Sequence, residues 1–250
     1  IVDGNVGLTL DQVDLITAET LYYPHRVFGW EGRRFKVRSG GGFDKTAKRI
    51  EVDPVGNEME PTRPDVRFEV VMRGRAGEWD ERRQGPLLIK AGDVRAEVNE
   101  TVTRAMLGGG GSWLRFDTPV QARYMTEVKA VWLMHVGSLE DSWADGLAHV
   151  ARLMDDVLIT HLRCRDENIE VVPRIEGFGG IDSPALLFID RHVGGAGVAE
   201  ALSLDAILGM LRWVQAVMKA CPCDAGCSRC TPPEVLHLKA KNEAISLLGG

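Results

Sequence analysis

Cys221-Pro-Cys223-Asp-Ala-Gly-Cys227-Ser-Arg-Cys230 places four of the chain's five cysteines within ten residues, at C-x-C-x3-C-x2-C spacing. Four thiolates that close suit one divalent ion. Zn2+ accepts four sulfurs tetrahedrally, at about 2.3 Å each, and has no redox chemistry of its own. Pro222 stiffens the first pair and Gly226 lets the backbone turn before the second. Two other readings of the same cysteines exist, paired disulfides and a redox C-x-x-C. The rest of the composition is not that of a disulfide-dense secreted chain, which favours one structural Zn2+ on Cys221, Cys223, Cys227 and Cys230. A closed four-sulfur site leaves no position for a reactive water, so the metal is expected to hold shape. Cys164 lies apart and is expected to remain a reduced thiol.

The other candidate chemistry is weaker. Gly40-Gly41-Gly42-Phe43-Asp44-Lys45-Thr46 has the look of a phosphate loop, but Asp44 stands where glycine must precede the lysine, and no helix pattern follows. It reads as a solvated loop. Leu186–Asp190 followed by His192-Val-Gly194-Gly195-Ala-Gly197 has a strand–glycine-loop–helix order that can offer amides to an anion. A dinucleotide fingerprint would need glycine where Glu200 stands, so tight turning and close packing account better for the glycines. Asp190, His192 and Cys164 can be combined into a hydrolytic set on paper, without support from their spacing.

One basic segment stands out. Arg26, Arg33, Arg34, Lys36 and Arg38 face a single acid, Glu31, with Tyr22, Tyr23, Phe28, Trp30 and Phe35 interleaved. On a strand, Arg34, Lys36 and Arg38 share one face and Phe35 and Val37 the other. The functional reading is a site for a nucleic-acid strand, with Trp30 and Tyr23 as stacking candidates. The structural reading is a half-buried strand with a solvated basic face.

The elements that must position these residues divide into two styles. Residues 1–107 read as short strands: Arg26–Trp30 and Arg34–Arg38 around a Glu31-Gly32-Arg33 turn, then Arg49–Asp53, Val66–Arg73, Leu87–Lys90 and Arg95–Val102. Such a series predicts a small barrel or sandwich. Gly108–Ser112 is a flexible linker by composition, whether engineered or natural. Strands resume at Trp113–Phe116 and Val128–Val136. From Trp143 the period changes, and Leu147, Val150, Met154, Val157 and His161 predict an amphipathic helix to Leu162. Leu186–Asp190 reads as a central strand buried on both faces. Leu204, Ile207, Leu208, Leu211, Val214 and Met218 mark a helix leading into the cysteines. Thr231-Pro-Pro-Glu234 reads as the capping box of a last helix, closed by Gly249. The predicted fold is α+β: a β-rich N-terminal module, 1–107, followed by a mixed α/β zinc-binding domain, 113–250, with helices on either side of a strand.

The 250 residues are 44% hydrophobic and 26% charged, as in an ordinary globular protein. No apolar run is long enough to cross a bilayer and no signal peptide opens the chain, so a cytoplasmic protein without a membrane partner is expected. A net charge of −6 argues against a surface built throughout for nucleic acid while leaving room for a local stripe. The opening Ile1-Val2-Asp3, without methionine, reads as part of a longer polypeptide.

Taken in order, Leu186–Glu200, a helix, Cys221-Pro-Cys223 and Cys227-Ser-Arg-Cys230 resemble the MrfA-type zinc-binding (MZB) domain. That domain belongs to superfamily-two DNA helicases and relatives in bacterial defence. Thr126–Leu133, Gly146–Ala151 and Cys164–Ile169 extend the likeness over about residues 120–250. Tyr23-Pro-His and Gly32–Val37 resemble more loosely the β-rich module that precedes it. Val193 departs from the family, where proline is expected. The resemblance implies zinc on the four cysteines and a domain that supports a helicase motor. Motor motifs do not occur in the chain, so the motor is expected in cis or on a partner ATPase. The expected function is therefore a non-catalytic zinc-binding accessory module of a DNA helicase or translocase, in repair or defence, with single-stranded DNA held weakly by Arg26, Arg33, Arg34, Lys36, Arg38 and Trp30. The alternative is a protein–protein scaffold that docks a partner subunit without touching DNA. A continuous exposed basic stripe would favour the first, and an exposed apolar patch the second.

Overall fold

The computed structural model describes residues 1–5, 7–13, 15–39, 43–73, 78–84, 87–107, 112–135, 143–163, 168–191, 197–232 and 235–249. In chain order the elements are β1 (Val2–Asp3), α1 (Leu15–Thr20), β2 (Val27–Trp30), β3 (Arg33–Val37), β4 (Phe43–Asp44), β5 (Arg49–Val55), β6 (Arg63–Met72), β7 (Asp80–Gln84), β8 (Leu87–Leu107), β9 (Ser112–His135), α2 (Trp143–Leu162), β10 (Ile169–Arg174), β11 (Ala185–Asp190), α3 (Leu204–Ala220), a 3-10 turn (Leu236–Leu238) and α4 (Lys241–Leu247). The α+β class expected from the sequence is the observed one.

The chain forms two compact units, Ile1–Val70 with Val98–Tyr124, and Val71–Glu97 with Met125–Gly250. The sequence suggested modules at 1–107 and 113–250. The units are drawn differently because β8 and β9 are long: each gives part of its length to either unit. The expected strands Leu87–Lys90 and Arg95–Val102 are two parts of β8, and Trp113–Phe116 is the start of β9. Gly92 and Pro119 resemble breaks between strands, but both sit inside them. Residues 108–111 lie outside the described set.

In the first unit the sheet order is β1-β5-β3-β2, with β4 also on β5. Glu31 (φ 46°) and Gly32 (φ 74°) form the two-residue turn between β2 and β3, and Trp30 pairs with Arg33. Two positive-φ residues in sequence suit the right-handed twist of the strands they join. Period-two burial follows: Phe35 and Val37 are fully buried and pack with Phe28, Ile50 and Val52, while Arg34 and Lys36 are half-buried on the other face.

In the second unit β11 is central, antiparallel to β10 on one side and β9 on the other. All six of its residues are buried, as its unbroken apolar run requires. Leu186 and Phe188 share one core with Val131 and Leu133 of β9, Leu147, Val150 and Met154 of α2, Ile207, Leu211 and Val214 of α3, and Ala244 and Leu247 of α4. The helices therefore gather in one core, in place of the expected arrangement on either side of the strand. Helix α2 has the bounds its 3.6-residue period predicts, Trp143–Leu162. Ser203 caps α3 by accepting a hydrogen bond from the Ala206 amide at 3.2 Å.

The last helix is a correction. It begins at Lys241 and not at Thr231. Thr231 belongs to the cysteine loop, its hydroxyl 3.6 Å from Cys230 Sγ. Lys239, with φ 53°, breaks the 3-10 turn from α4. Glu234 of the supposed capping box lies outside the described residues. Gly249 does close α4, with φ 77° and its amide bonded to the Ser246 carbonyl. Among the described residues no helix is long and apolar enough to cross a membrane.

Candidate metal centre

Helix α3 carries the first ligand into place. Cys221 is its C-cap, leaving the helical path at φ −78°, ψ 128° while its amide still bonds the Met218 carbonyl. The chain then folds back through Gly226, whose φ of +120° is open to glycine and strained for other residues. A Cβ there would also lie 2.6 Å from the Thr231 hydroxyl. Cys230 closes a turn by bonding its amide to the Cys227 carbonyl at 3.0 Å.

The four sulfurs all lie within 4.8 Å of one another. Cys221 Sγ is 3.6 Å from Cys223 Sγ and 3.5 Å from Cys227 Sγ, and Cys223 Sγ is 3.5 Å from Cys230 Sγ. A zinc with sulfurs at ~2.3 Å in a tetrahedron separates them by roughly 3.8 Å, so the cage has the size of the ion. A disulfide needs sulfurs near ~2.05 Å, and all four thiols are free. Of the three readings the cysteine spacing left open, the zinc cage is the one this geometry fits. Burial, and then hydrogen bonds with the neighbouring sulfurs, push the Cys223 thiol up to about 12. The Cys230 thiol goes the other way: burial raises it, but bonds from the Cys227 amide, the Thr231 hydroxyl and neighbouring sulfurs bring it below its ordinary value, and a divalent cation would stabilise the ionised form of the set. The four cysteines are positioned to coordinate one zinc ion. When bound, the zinc would supply a four-armed crosslink within the loop.

Two side chains that sequence reasoning did not place at the site hold the loop from outside. Lys241, buried at the start of α4, donates from Nζ to the carbonyls of Cys221 (2.7 Å) and Cys223, and its Nζ lies 3.7 Å from Cys223 Sγ. His149 of α2 is fully buried with Nε2 3.0 Å from the Cys230 carbonyl. Burial holds its pKa below the ordinary value, against the carbonyls of Cys230 and Ala240 and the Glu243 carboxylate. The neutral ring with its proton on Nε2 donates to Cys230. Their only sequence signal was that His149 falls in the Gly146–Ala151 stretch; Lys241 lies eleven residues beyond the last cysteine and carried none.

Asp190 is buried and accepts the Val198 amide at 3.0 Å, which ties the end of the glycine loop to β11. His192, Val193 and Cys164 lie outside the described residues, so the hydrolytic set and the state of the fifth cysteine do too.

The basic hairpin lies in the first unit. Its side chains are more engaged than a continuous stripe requires. Arg26 bonds the Leu21 carbonyl at 2.6 Å and lies over the Tyr22 ring at 4.6 Å. Arg38 is paired with Asp53 at 2.7 Å and Glu51 at 3.0 Å, and the hydrogen bond to Asp53 leads in raising its pKa. Arg34 donates to the Met59 carbonyl, and Arg33 lies 5.5 Å from the centre of the Phe35 ring. Lys36 has no carboxylate partner among the described residues. It lines a cleft of about 720 Å³ with His25, Arg38, Arg49, Glu51 and Asp53. Trp30 is half-buried against Phe35, and Tyr23 is buried with its hydroxyl 2.9 Å from that of Thr62. Tyr23 is thereby removed as a stacking surface.

Among curated proteins none matches the chain. Two crystal structures of the DUF1998 helicase MrfA resemble it. One has a TM-score of 0.64 and 20% identity over 98% of this chain and 33% of that one. The other, bound to DNA, has a TM-score of 0.52 and 18% identity, over 93% and 30% respectively. At those identities the likeness shows the fold, and the chain spans about a third of the length of the helicases it matches. Residues 150–231, from within α2 through the last cysteine, match the family model of the MrfA Zn-binding domain. Over those residues the chain is similar to the MrfA Zn-binding domain, and all four candidate zinc ligands fall inside the match.

Proposed function

We propose that this chain is a non-catalytic zinc-bearing accessory module of a DNA helicase or translocase in repair or defence, with the ATPase motor in cis or on a partner. The observation that carries the reading is the four-sulfur cage inside an MZB domain, within a fold that resembles part of the helicase MrfA over nearly its whole length. Cys221 ties the cage to the end of α3, and Lys241 and His149 tie its loop to α4 and α2, which is the work of a brace and not of a reaction centre.

Contact with DNA is the finer part of the proposal. Arg33, Arg34 and Lys36 have no carboxylate partner among the described residues, whereas Arg38 is neutralised. Each phosphate neutralised on a single strand contributes a salt slope of roughly 0.7, so Arg34 and Lys36, which share one face of β3, give a slope of about 1.4, rising toward about 2 where Arg33 at the turn also reaches the strand. The second reading, a scaffold without DNA contact, is favoured by Trp213, which stands 55% exposed on the outer face of α3.

Fluorescence anisotropy of labelled single-stranded DNA with the zinc-loaded chain, across a salt series, separates the two. Weak binding with that slope, lost in the Arg34→Glu/Lys36→Glu double variant, supports DNA contact. An absence of binding at low salt, or equal binding by the double variant, selects the scaffold. ATP turnover by the rigorously purified chain would overturn both.

A further inference from the structure

We propose that Lys241 is the cationic partner of the metal centre, compensating the charge of the zinc-bound thiolates and making the docking of α4 depend on the metal. The proposal rests on zinc filling the cysteine cage and is independent of any DNA role.

Lys241 is 5% exposed, and among the described residues its ammonium has no carboxylate partner. A buried charge is expensive unless something of opposite sign or strong acceptors receive it. The acceptors of its Nζ all belong to the metal loop: the carbonyls of Cys221 and Cys223, and Cys223 Sγ. Four thiolates around one divalent ion leave a net charge of about −2. That anion is the opposite charge that the ammonium otherwise lacks. The geometry is selective, since the approach is to Cys223 and Lys241 is also the first residue of α4. Its backbone amide points to the same loop, 3.4 Å from the Ala225 carbonyl.

A thiolate that receives an ammonium is a poorer electron donor and a poorer nucleophile than one that does not. Groups that orient or polarise metal ligands typically account for 10–100-fold in affinity when removed. Lys241→Met should therefore release zinc to a competing chelator at least about tenfold faster than wild type. In the cobalt-substituted protein its sulfur-to-metal charge-transfer band should move to lower energy. Lys241→Arg, which keeps the charge, should lie nearer wild type in both. With zinc bound, the Lys241→Met variant should also show faster amide exchange across α4. Wild-type zinc release together with an unmoved cobalt band in a folded Lys241→Met protein would overturn the proposal.

If that variant does not fold, the wild type decides. Cys221, Cys223 and Cys227 are similarly half-buried. On limited alkylation of the zinc-loaded chain, Cys221 and Cys227 should be modified before Cys223, and Cys223 reacting first would overturn the assignment. Zinc content measured on the same wild-type sample tests the cage itself, so a failed cage and a failed partner give different results.

Discussion

Gly226 and Asp155 show how single positions set the behaviour of the second unit. At Gly226, alanine would have to adopt φ +120° and place its Cβ against Thr231. Backbone strain of that kind costs about 1–3 kcal/mol. Gly226→Ala is predicted to weaken zinc binding by roughly tenfold or more, read by chelator competition; unchanged affinity would contradict the turn's role. Asp155 of α2 accepts the Val171 amide at 2.6 Å and pairs with Arg152 at 2.9 Å, and Arg152 also pairs with Glu170 at 2.7 Å. Burial, then the charge of Glu170, holds the Asp155 pKa well above the carboxylate range, against the pull of Arg152 and the Val171 amide. A carboxyl raised in the folded state binds a proton that the unfolded chain has lost. Its stabilisation is full below the ordinary carboxylate pKa and is lost as pH rises through the folded value. Wild type should therefore lose stability relative to Asp155→Asn as pH rises from about 5, a range that avoids stripping cysteine-bound metal. Urea unfolding of both proteins measures this, and a difference constant with pH would refute it. At this scale the four cysteines were legible because their geometry is local, ten residues in one loop. Lys241 and His149 were not, because the folded chain alone brings α4 and α2 to that loop.

Among the elements, legibility followed periodicity. Helices α2 and α3 and the β2–β3 hairpin each repeat an apolar period long enough to be read. Helix α4 does not. Seven residues are well below the roughly 12–15 an isolated helix needs, and its N-cap, Ala240, supplies no side-chain bond. It persists through tertiary contacts: Ala244 and Leu247 in the core, the Gln215 amide on the Leu248 carbonyl at 3.0 Å, and Lys241 on the metal loop. Thr231-Pro-Pro-Glu has the letters of a helix start, but Thr231 is held beside Cys230 and Gly226. Gly146 lets α2 and α4 approach so closely that a Cβ would lie 2.8 Å from the Glu243 carbonyl carbon. Gly146→Val should destabilise the protein by about 1–3 kcal/mol, as overpacking does, with α4 opening first in hydrogen exchange. Wild-type stability for that variant would mean α4 can shift at no cost.

At the scale of the molecule, each unit has a core of its own among the described residues. Phe28, Phe35, Val37, Ile50 and Val52 form one, and β11 with α2, α3 and α4 forms the other. The sequence placed a boundary near 107–113 because the Gly108–Ser112 composition reads as a linker. Strands as long as β8 and β9 share their residues between units, and local patterning carries no information about that. Separate cores give the last prediction. Removing zinc with a chelator should raise amide exchange in residues 221–249 and leave β2, β3 and β5 as protected as before. The hairpin contains none of the ligands, and its packing is supplied by apolar side chains and by pairs such as Arg38–Asp53. If Arg33, Arg34 and Lys36 hold DNA, its affinity and salt slope should therefore persist after zinc removal, while α4 is already open. DNA affinity that falls in step with zinc occupancy would move the contact into the zinc-binding unit. Exchange that rises uniformly across both units would show that the metal supports the whole chain and not its last thirty or so residues.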